Sequence, residues 1–142
     1  FTQPLPRQRF VLDPEHAERL FLTKGDVDMF QRAKAAIGVG VCALLERAGM
    51  QFSDLARVAV AGVFGQHIDL EKARDIGLLP AVDAELFQWC GHTALTGCAE
   101  LLVSETAWQR VRDIREASHI VNLAQYEKFE DSFLEHLFLQ PA

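Results

Sequence analysis

The residues with the clearest capacity for chemistry are two glycines three positions apart, in the run Gly62-Val63-Phe64-Gly65. Glycine has no Cβ, so a turn built on it can take φ > 0 and lets a ligand reach the main chain. Backbone N–H groups around such a turn can meet phosphate or sugar oxygens. The run lacks the G-x-G-x-x-G of a dinucleotide fold and the Gly-Lys-Ser/Thr of a P-loop. Two interpretations stay open: a nucleotide-binding turn, or a tight strand-to-helix turn that needs glycine for packing.

A second segment, residues 89–99, repeats the order of strand, glycine and helix start, with Gly91 at the turn. The free N–H groups at a helix N-terminus attract anions, which makes this turn a second candidate for ligand binding. The alternative is a helix that packs tightly through Ala94, Gly97 and Ala99. Spacing alone favours the packing interpretation.

The cysteines and histidines form no pattern typical of a metal or catalytic site. Cys90, His92 and Cys98 lack C-x-x-C spacing, and the sequence has no plant-type iron–sulfur spacing. Within a helix Cys98 shares a face with Ala94, which predicts a small core residue. We predict no metal site. No Ser/His/Asp or Cys/His nucleophilic set can be placed, so the catalytic residues are unknown.

Composition excludes several classes of function. The chain has 142 residues and a formal charge of -6, with no basic stripe, which argues against a nucleic-acid partner. No apolar run approaches the roughly 20 residues that cross a bilayer. Three cysteines are too few and too odd in number for a secreted disulfide framework, so we expect a cytoplasmic protein. The first residue is Phe1, which suggests a piece of a longer chain.

Hydrophobic periodicity predicts the elements that position these turns. Apolar residues at three- and four-residue spacing predict a helix from Asp26 to Ala48, with a capping box from Thr23 and a stop at Gly49. One face of this helix is small, which predicts close approach to another backbone or to a ligand. Its small residues are Ala35, Ala36, Gly38, Gly40 and Ala43.

The β-branched run Arg57–Ala61 predicts a strand covered on both faces that ends at Gly62. Asp69 can face a ligand, but capping a short helix through Ile76 is the commoner role of Asp there. The other predicted elements are a strand Arg9–Leu12, one or two helical turns in Asp13–Leu20, a strand Leu86–Cys90, a helix from Gly91 to Val103, a helix capped by Ser104 or Thr106 with Trp108, Val111 and Ile114 on its apolar side, a strand His119–Leu123, and a helix Glu127–Leu137 with Phe129, Phe133 and Leu137 inward. Alternating strands and helices predict an α/β fold with a mainly parallel sheet.

Several motifs, in order, resemble the ATP-dependent reductive activators of corrinoid proteins. LTKGDV at 22–27 and QRAKAAI at 31–37 are similar to that family's LTQKDI and QxAKAAI. VAGVFGQHID at 60–69 resembles LAGAFGNYID, and ARDIGLLP at 73–80 resembles AxxIGLLP. GHTALTGCA at 91–99 resembles GNAAxxGA, and the spaced phenylalanines of 129–138 resemble the family's C-terminal close. The resemblance covers roughly residues 20–140.

This resemblance implies a helix-rich, ribonuclease H-like lobe of the actin-like (ASKHA) ATPase fold. Residues 1–20 would be a lead-in from the preceding part of the domain, and residues 21–142 the C-terminal nucleotide-binding half. The implied ligand is ATP, with Mg²⁺. The nucleotide-binding residues implied are Gly62, Val63, Phe64, Gly65, Gln66, Gly91, His92 and Thr93, and Lys34 and Asp69 are further residues that could face the ligand.

The family's task, returning a Co(II) corrinoid protein to Co(I), is the function that the resemblance implies. The electron would come from a [2Fe–2S] domain outside this chain, the partner would be a corrinoid protein, and a homodimer fits the family. The isolated chain would be inactive. Gln66 and His92 replace the usual Asn, His67 replaces an aromatic residue, and Cys98 replaces alanine. These departures keep two alternatives open, a non-catalytic interaction module with a degenerate nucleotide site and a small-molecule kinase of the same superfamily.

Overall fold

The computed structural model of the chain describes residues 9–16 and 18–141, and this part combines helices with two small sheets. The strands are β1 (Arg9–Val11), β2 (Phe21–Thr23), β3 (Val58–Ala61) and β4 (Phe87–Gly91). The helices are α1 (Lys24–Ala48), α2 (Leu70–Asp75), α3 (Thr93–Val103), α4 (Ala107–Ala117) and α5 (Phe129–His136). Short 3-10 turns lie at Pro14–His16, Phe52–Asp54, Phe64–His67, Ala84–Leu86 and Leu123–Gln125. The predicted α/β class is confirmed.

Helix α1 begins and ends where the predicted caps lie. The Thr23 hydroxyl accepts a hydrogen bond from the Asp26 N–H at 3.2 Å, and the Asp26 carboxylate accepts one from the Thr23 N–H at 2.8 Å. Thr23 is therefore the N-cap, and the helix begins at Lys24, two residues before the predicted start. The hydrogen bonds that the Asp26 carboxylate accepts from the Thr23 N–H and the Thr23 hydroxyl hold the pKa of Asp26 below its ordinary value. Gly49 closes the helix with φ 66°, a conformation that glycine adopts without strain.

The small face of α1 packs against α5 and the segment before it. A Cβ built on Gly38 would lie 2.1 Å from Cδ2 of His136, so the imidazole occupies the space that a side chain would need. A Cβ on Gly40 would meet Leu123 Cδ1 at 3.8 Å, which is an ordinary contact. Phe129 and Phe133 of α5 stack with ring centroids 5.6 Å apart. The predicted close approach to another element is thus confirmed, and it explains glycine at position 38.

Alanine substitutions at these two glycines are expected to change stability in opposite directions. Both remove a helix-interior glycine, which gains up to about 1 kcal/mol. At Gly40 that gain should appear in full. At Gly38 the new methyl group must displace the His136 ring, and overpacking of this kind costs about 1–3 kcal/mol. Urea unfolding of the two variants beside the parent chain measures the difference, and equal midpoints would contradict the packing described here.

Strands β3 and β4 form a parallel pair joined through α2, which gives one βαβ unit. The register pairs Val58 with Phe87 and Val60 with Trp89, and a bulge then places Ala61 beside Gly91. Both strands lie within one residue of their predicted bounds. The prediction that β3 is covered on both faces is wrong, because its two alanines are exposed and only its valines are half-buried. The pattern is that of a strand with one covered face.

Strands β1 and β2 form an antiparallel pair, and β2 was not predicted. The register places Phe10 opposite Leu22, and the Arg9 guanidinium lies 4.4 Å from the centroid of the Phe21 ring. Strand β2 has only three residues and leads directly into the N-cap of α1, so it is too short for a pattern of alternating residues to predict it. The predicted strand at Arg9–Leu12 is confirmed in its first three residues.

The C-terminal third departs most from prediction. His119–Leu123 is not a strand, because no strand of residues 9–16 or 18–141 pairs with it, and Asn122 instead accepts the Ala124 N–H at 3.1 Å to start a 3-10 turn. The described residues cover the apolar side of α4 only in part, since Trp108 and Ile114 are 56% and 65% exposed. In the described part of the chain, no helix is long and apolar enough to cross a membrane.

Candidate functional site

The two glycine turns singled out in the sequence lie side by side at one edge of the β3–β4 sheet. Because the strands are parallel neighbours, both end at the same edge, and the Gly62 N–H donates to the Gly91 carbonyl at 2.8 Å. Both glycines have positive φ, 99° at Gly62 and 64° at Gly91. In open α/β sheets, ligands sit outside the carboxyl ends of the strands. The two candidate segments therefore form one candidate site.

Gly62 presents bare main chain at the centre of this edge. A Cβ built on it would meet no atom within 4 Å among the described residues. Packing thus does not explain this glycine, whereas its backbone conformation does. The neighbouring Val63 side chain is 48% exposed. This geometry leaves room for a flat ring or a sugar to rest against the backbone.

Gly65 has a different role, because it is buried beneath the turn. A Cβ there would lie 2.9 Å from Val60 Cγ1 and 3.7 Å from the Trp89 ring, so only glycine lets the 3-10 turn Phe64–His67 settle onto β3 and β4. The packing interpretation holds for this glycine. Trp89, 41% exposed, flanks the turn. Trp89 begins the second candidate segment but is not among the predicted binding residues, although an aromatic residue two positions before the second glycine could have signalled it.

Gln66 connects the two turns. A Cβ built on Gly91 would lie 3.2 Å from Gln66 Nε2, so the Gln66 amide lies over the second glycine. The exposed Gln66 side chain supplies both a donor and an acceptor at this edge.

His92 caps α3 and so fixes the start of that helix. Its Nδ1 accepts the Leu95 N–H at 3.1 Å, which leaves Nε2 as the N–H donor of the neutral ring. The Thr96 hydroxyl donates to the His92 carbonyl at 3.2 Å, and Thr93 is the first residue of the helix. The ring thus satisfies one of the orphan N–H groups of the helix terminus, as Asn commonly does.

The two other residues proposed to face a ligand have partners of their own. Asp69 accepts the Lys72 N–H at 3.1 Å as the N-cap of α2, and this bond keeps the pKa of Asp69 below its ordinary value. Lys34 is only 2% exposed, and its ammonium donates to the Phe138 carbonyl. Burial lowers the pKa of Lys34. It contacts the C-terminal segment, so its assignment as a ligand-facing residue stays a prediction.

The interpretation of α3 as a tightly packed helix does not describe the structure. A Cβ on Gly97 would meet nothing within 4 Å among the described residues, and Leu95 is 64% exposed. Cys98 is exposed, so its prediction as a small core residue is wrong. All residues of α3 except Leu101 are exposed, so the described part of the chain covers little of this helix.

Comparison with known proteins identifies the family. A family model described as "C-terminal domain of RACo the ASKHA domain" matches residues 4–142. The corrinoid activation enzyme RamQ of Eubacterium limosum is 35% identical over 115 residues, which is 81% of this chain and 19% of that protein. The Co(II) methylated amine-specific corrinoid protein reductase of Methanosarcina barkeri is 27% identical over 133 residues, 92% of this chain and 24% of that protein.

The chain therefore spans about a fifth to a quarter of the length of these relatives. Its strand–turn–helix order and its paired glycine turns lie within the matched region. The chain belongs to the family of C-terminal ASKHA domains of corrinoid-activating proteins typified by RACo.

Proposed function

We propose that this chain supplies the adenosine-binding half of an ATP site. The observation that carries the proposal is the bare main chain of Gly62 beside Gly91 at the carboxyl ends of two parallel strands. Gly62, Val63 and Gln66 would form one wall and Gly91, His92 and Thr93 the other, while Phe64 and the buried Gly65 belong to the turn that carries the first wall. Main-chain N–H groups, the Gln66 amide and the His92 Nε2–H are donors suited to a nucleoside.

We use "full-length protein" for this chain joined to the remaining length found in its relatives. Its proposed activity is reductive activation of a corrinoid protein. The protein would return Co(II) to Co(I), and a [2Fe–2S] cluster in another domain would supply the electron. For a one-electron transfer, each 59 mV of unfavourable potential costs about 1.4 kcal/mol. ATP binding, with Mg²⁺, can offset such a gap by favouring the conformation in which the partner is reducible.

The exposed apolar surface of α3 and α4 supports the proposal of a half-site. Leu102 and Val103 at the end of α3 are 87% and 86% exposed, and Trp108 of α4 is 56% exposed. Exposed apolar surface of this kind commonly marks an interface. We propose that the rest of the ATPase domain covers this apolar surface. We also propose that the full-length protein is a cytoplasmic homodimer and that its partner is a corrinoid protein.

Nucleotide binding is expected to need the full-length protein. A ligand at 100 times its dissociation constant stabilises a folded site by about 2.7 kcal/mol, which raises the melting temperature measurably. ATP should therefore shift the melting temperature of the full-length protein and leave that of the 142-residue chain unchanged. A comparable shift in the isolated chain would contradict the half-site.

The same titration, combined with an assay of corrinoid reduction, separates the alternatives. A non-catalytic interaction module with a degenerate site would show no ATP-induced shift at full length. A small-molecule kinase would bind ATP but would not depend on ATP to reduce a corrinoid protein. The expected result is an ATP-dependent appearance of the Co(I) absorption spectrum in a corrinoid protein incubated with the full-length protein and a reductant.

A further inference from the structure

A cavity of about 420 Å³ between α1 and α5 lies apart from the glycine turns and has chemistry of its own. Its lining includes Cys42, His136, Lys34 and Glu135. The proposed nucleotide site uses neither Cys42 nor His136. The cavity thus holds a thiol and an imidazole that the function proposed above leaves without a role.

The thiol and the imidazole are arranged as a nucleophile and its base. His136 Nδ1 lies 2.7 Å from the Ser132 carbonyl oxygen, which can only accept, so Nδ1 carries the proton of the neutral ring. Nε2 is then a free acceptor, and it lies 3.9 Å from Cys42 Sγ, within reach of an S–H donor. A base held by a third group beside a nucleophile is the arrangement that activates thiols.

Packing fixes the imidazole in this orientation. The ring lies where a Cβ of residue 38 would stand, 2.1 Å from Cδ2 and 2.9 Å from Cγ, so the glycine at this position admits it. The contact with α1 and the bond to the Ser132 carbonyl hold the ring from two sides. Little rearrangement is needed before Nε2 can take a proton from Cys42.

The surroundings of Cys42 make such a base necessary. Burial raises the pKa of the Cys42 thiol, and the charges of Glu135 and Glu46 raise it further. The nearby Lys34 ammonium donates to the Phe138 carbonyl instead. The resting group is therefore a protonated thiol, which is a poor nucleophile until a base removes its proton.

We propose that Cys42 is a site of covalent modification by small neutral electrophiles, with His136 as the base. In the step, the sulfur forms a bond to carbon, the bond from carbon to the leaving group breaks, and the leaving group departs with the electron pair. The thiol proton moves to His136 Nε2 and from there to water.

The test is alkylation of the 142-residue chain by iodoacetamide at pH 7, followed by mass mapping of the labelled peptides. Cys98, which is exposed, serves as the internal reference. His136→Gln should lower the Cys42 rate at least about tenfold, since general-base catalysis contributes about 10²–10⁴-fold, and should leave Cys98 unchanged. Gly38→Ala should also lower the Cys42 rate because it displaces the ring. Gly40→Ala is the matched control and should have no effect.

An unchanged Cys42 rate in His136→Gln would overturn the proposal, as would a wild-type chain in which only Cys98 and Cys90 are labelled. Far-UV circular dichroism identifies a variant that does not fold. If His136→Gln does not fold, Gly38→Ala decides, since it keeps the imidazole and changes only its position. Equal Cys42 rates in Gly38→Ala and Gly40→Ala would then reject His136 as the base.

Discussion

Replacing Gly62 with valine in the full-length protein is expected to weaken ATP binding at least about a hundredfold, or about 2.7 kcal/mol. The Cβ of residue 62 points into space that no described atom enters within 4 Å, where the proposed site places the nucleoside. A branched side chain would fill that space. With φ at 99°, valine would also strain the turn that aligns the backbone N–H groups. Isothermal titration with ATP measures the loss.

The strain needs its own control, and Gly49→Val provides it. Gly49 also has positive φ, and a Cβ on it would likewise meet nothing within 4 Å among the described residues, but it closes α1 far along the chain from the glycine turns. Gly49→Val should lower stability and leave ATP affinity within about twofold of the parent, since it touches no proposed contact. Equal ATP affinity in the two variants would count against a nucleoside at Gly62.

Replacing Gly77 with alanine is expected to lower the free energy of unfolding more than the alanine substitutions at Gly38, Gly40 and Gly49. A Cβ on Gly77 would lie 2.2 Å from the Gln140 carbonyl oxygen and 3.0 Å from Lys34 Nζ. The left-handed conformation at φ 67° adds strain for any residue with a Cβ. Strain of about 1–2 kcal/mol and overpacking of about 1–3 kcal/mol together predict a loss of about 3 kcal/mol in the free energy of unfolding.

Gly49→Ala separates the clash from the strain. Gly49 has φ 66°, almost the same as Gly77, but open space in place of the Gln140 carbonyl. Urea unfolding of the 142-residue chain should give a loss of about 1–2 kcal/mol for Gly49→Ala, from strain alone. Losses of equal size in the two variants would show that the C-terminal segment does not pack against Gly77 and Lys34.

Features that depend on neighbouring residues could be predicted from the sequence. The capping box of Thr23 and Asp26, the stop at Gly49 and the cap at Asp69 each rest on hydrogen bonds within a few residues. The glycine turn at Gly62 is local as well, since its positive φ follows a β-branched run. These features depend on residues a few positions apart and not on the rest of the fold, which explains why their predictions are confirmed.

Features that depend on tertiary contacts could not be predicted. The adjacency of Gly62 and Gly91 follows from parallel pairing across the 28 residues that lie between them in the chain, which no local pattern reveals. The run His119–Leu123 has strand-forming residues but no described strand to pair with, and Ile120 is 97% exposed. Periodicity shows which face of a helix is apolar but not what covers that face. The apolar sides of α3 and α4 therefore predicted burial that the described residues do not provide.

The burial of Lys34 shows the same limit in a single residue. The resemblance predicts that Lys34 could face a ligand, and that remains a prediction. The fold brings the C-terminal segment over Lys34, so that its ammonium donates to the Phe138 carbonyl and the Gln31 amide donates to the Leu137 carbonyl at 2.8 Å. The signal for this contact lay more than a hundred residues away along the chain.

The nucleotide site is tested most directly by a crystal structure of the full-length protein with a non-hydrolysable ATP analogue. The expected result is a base and ribose lying against the main chain of Gly62–Gln66, with Gly91 and His92 on the opposite wall. A nucleotide bound elsewhere, with the Gly62 turn covered by protein side chains, would contradict the assignment.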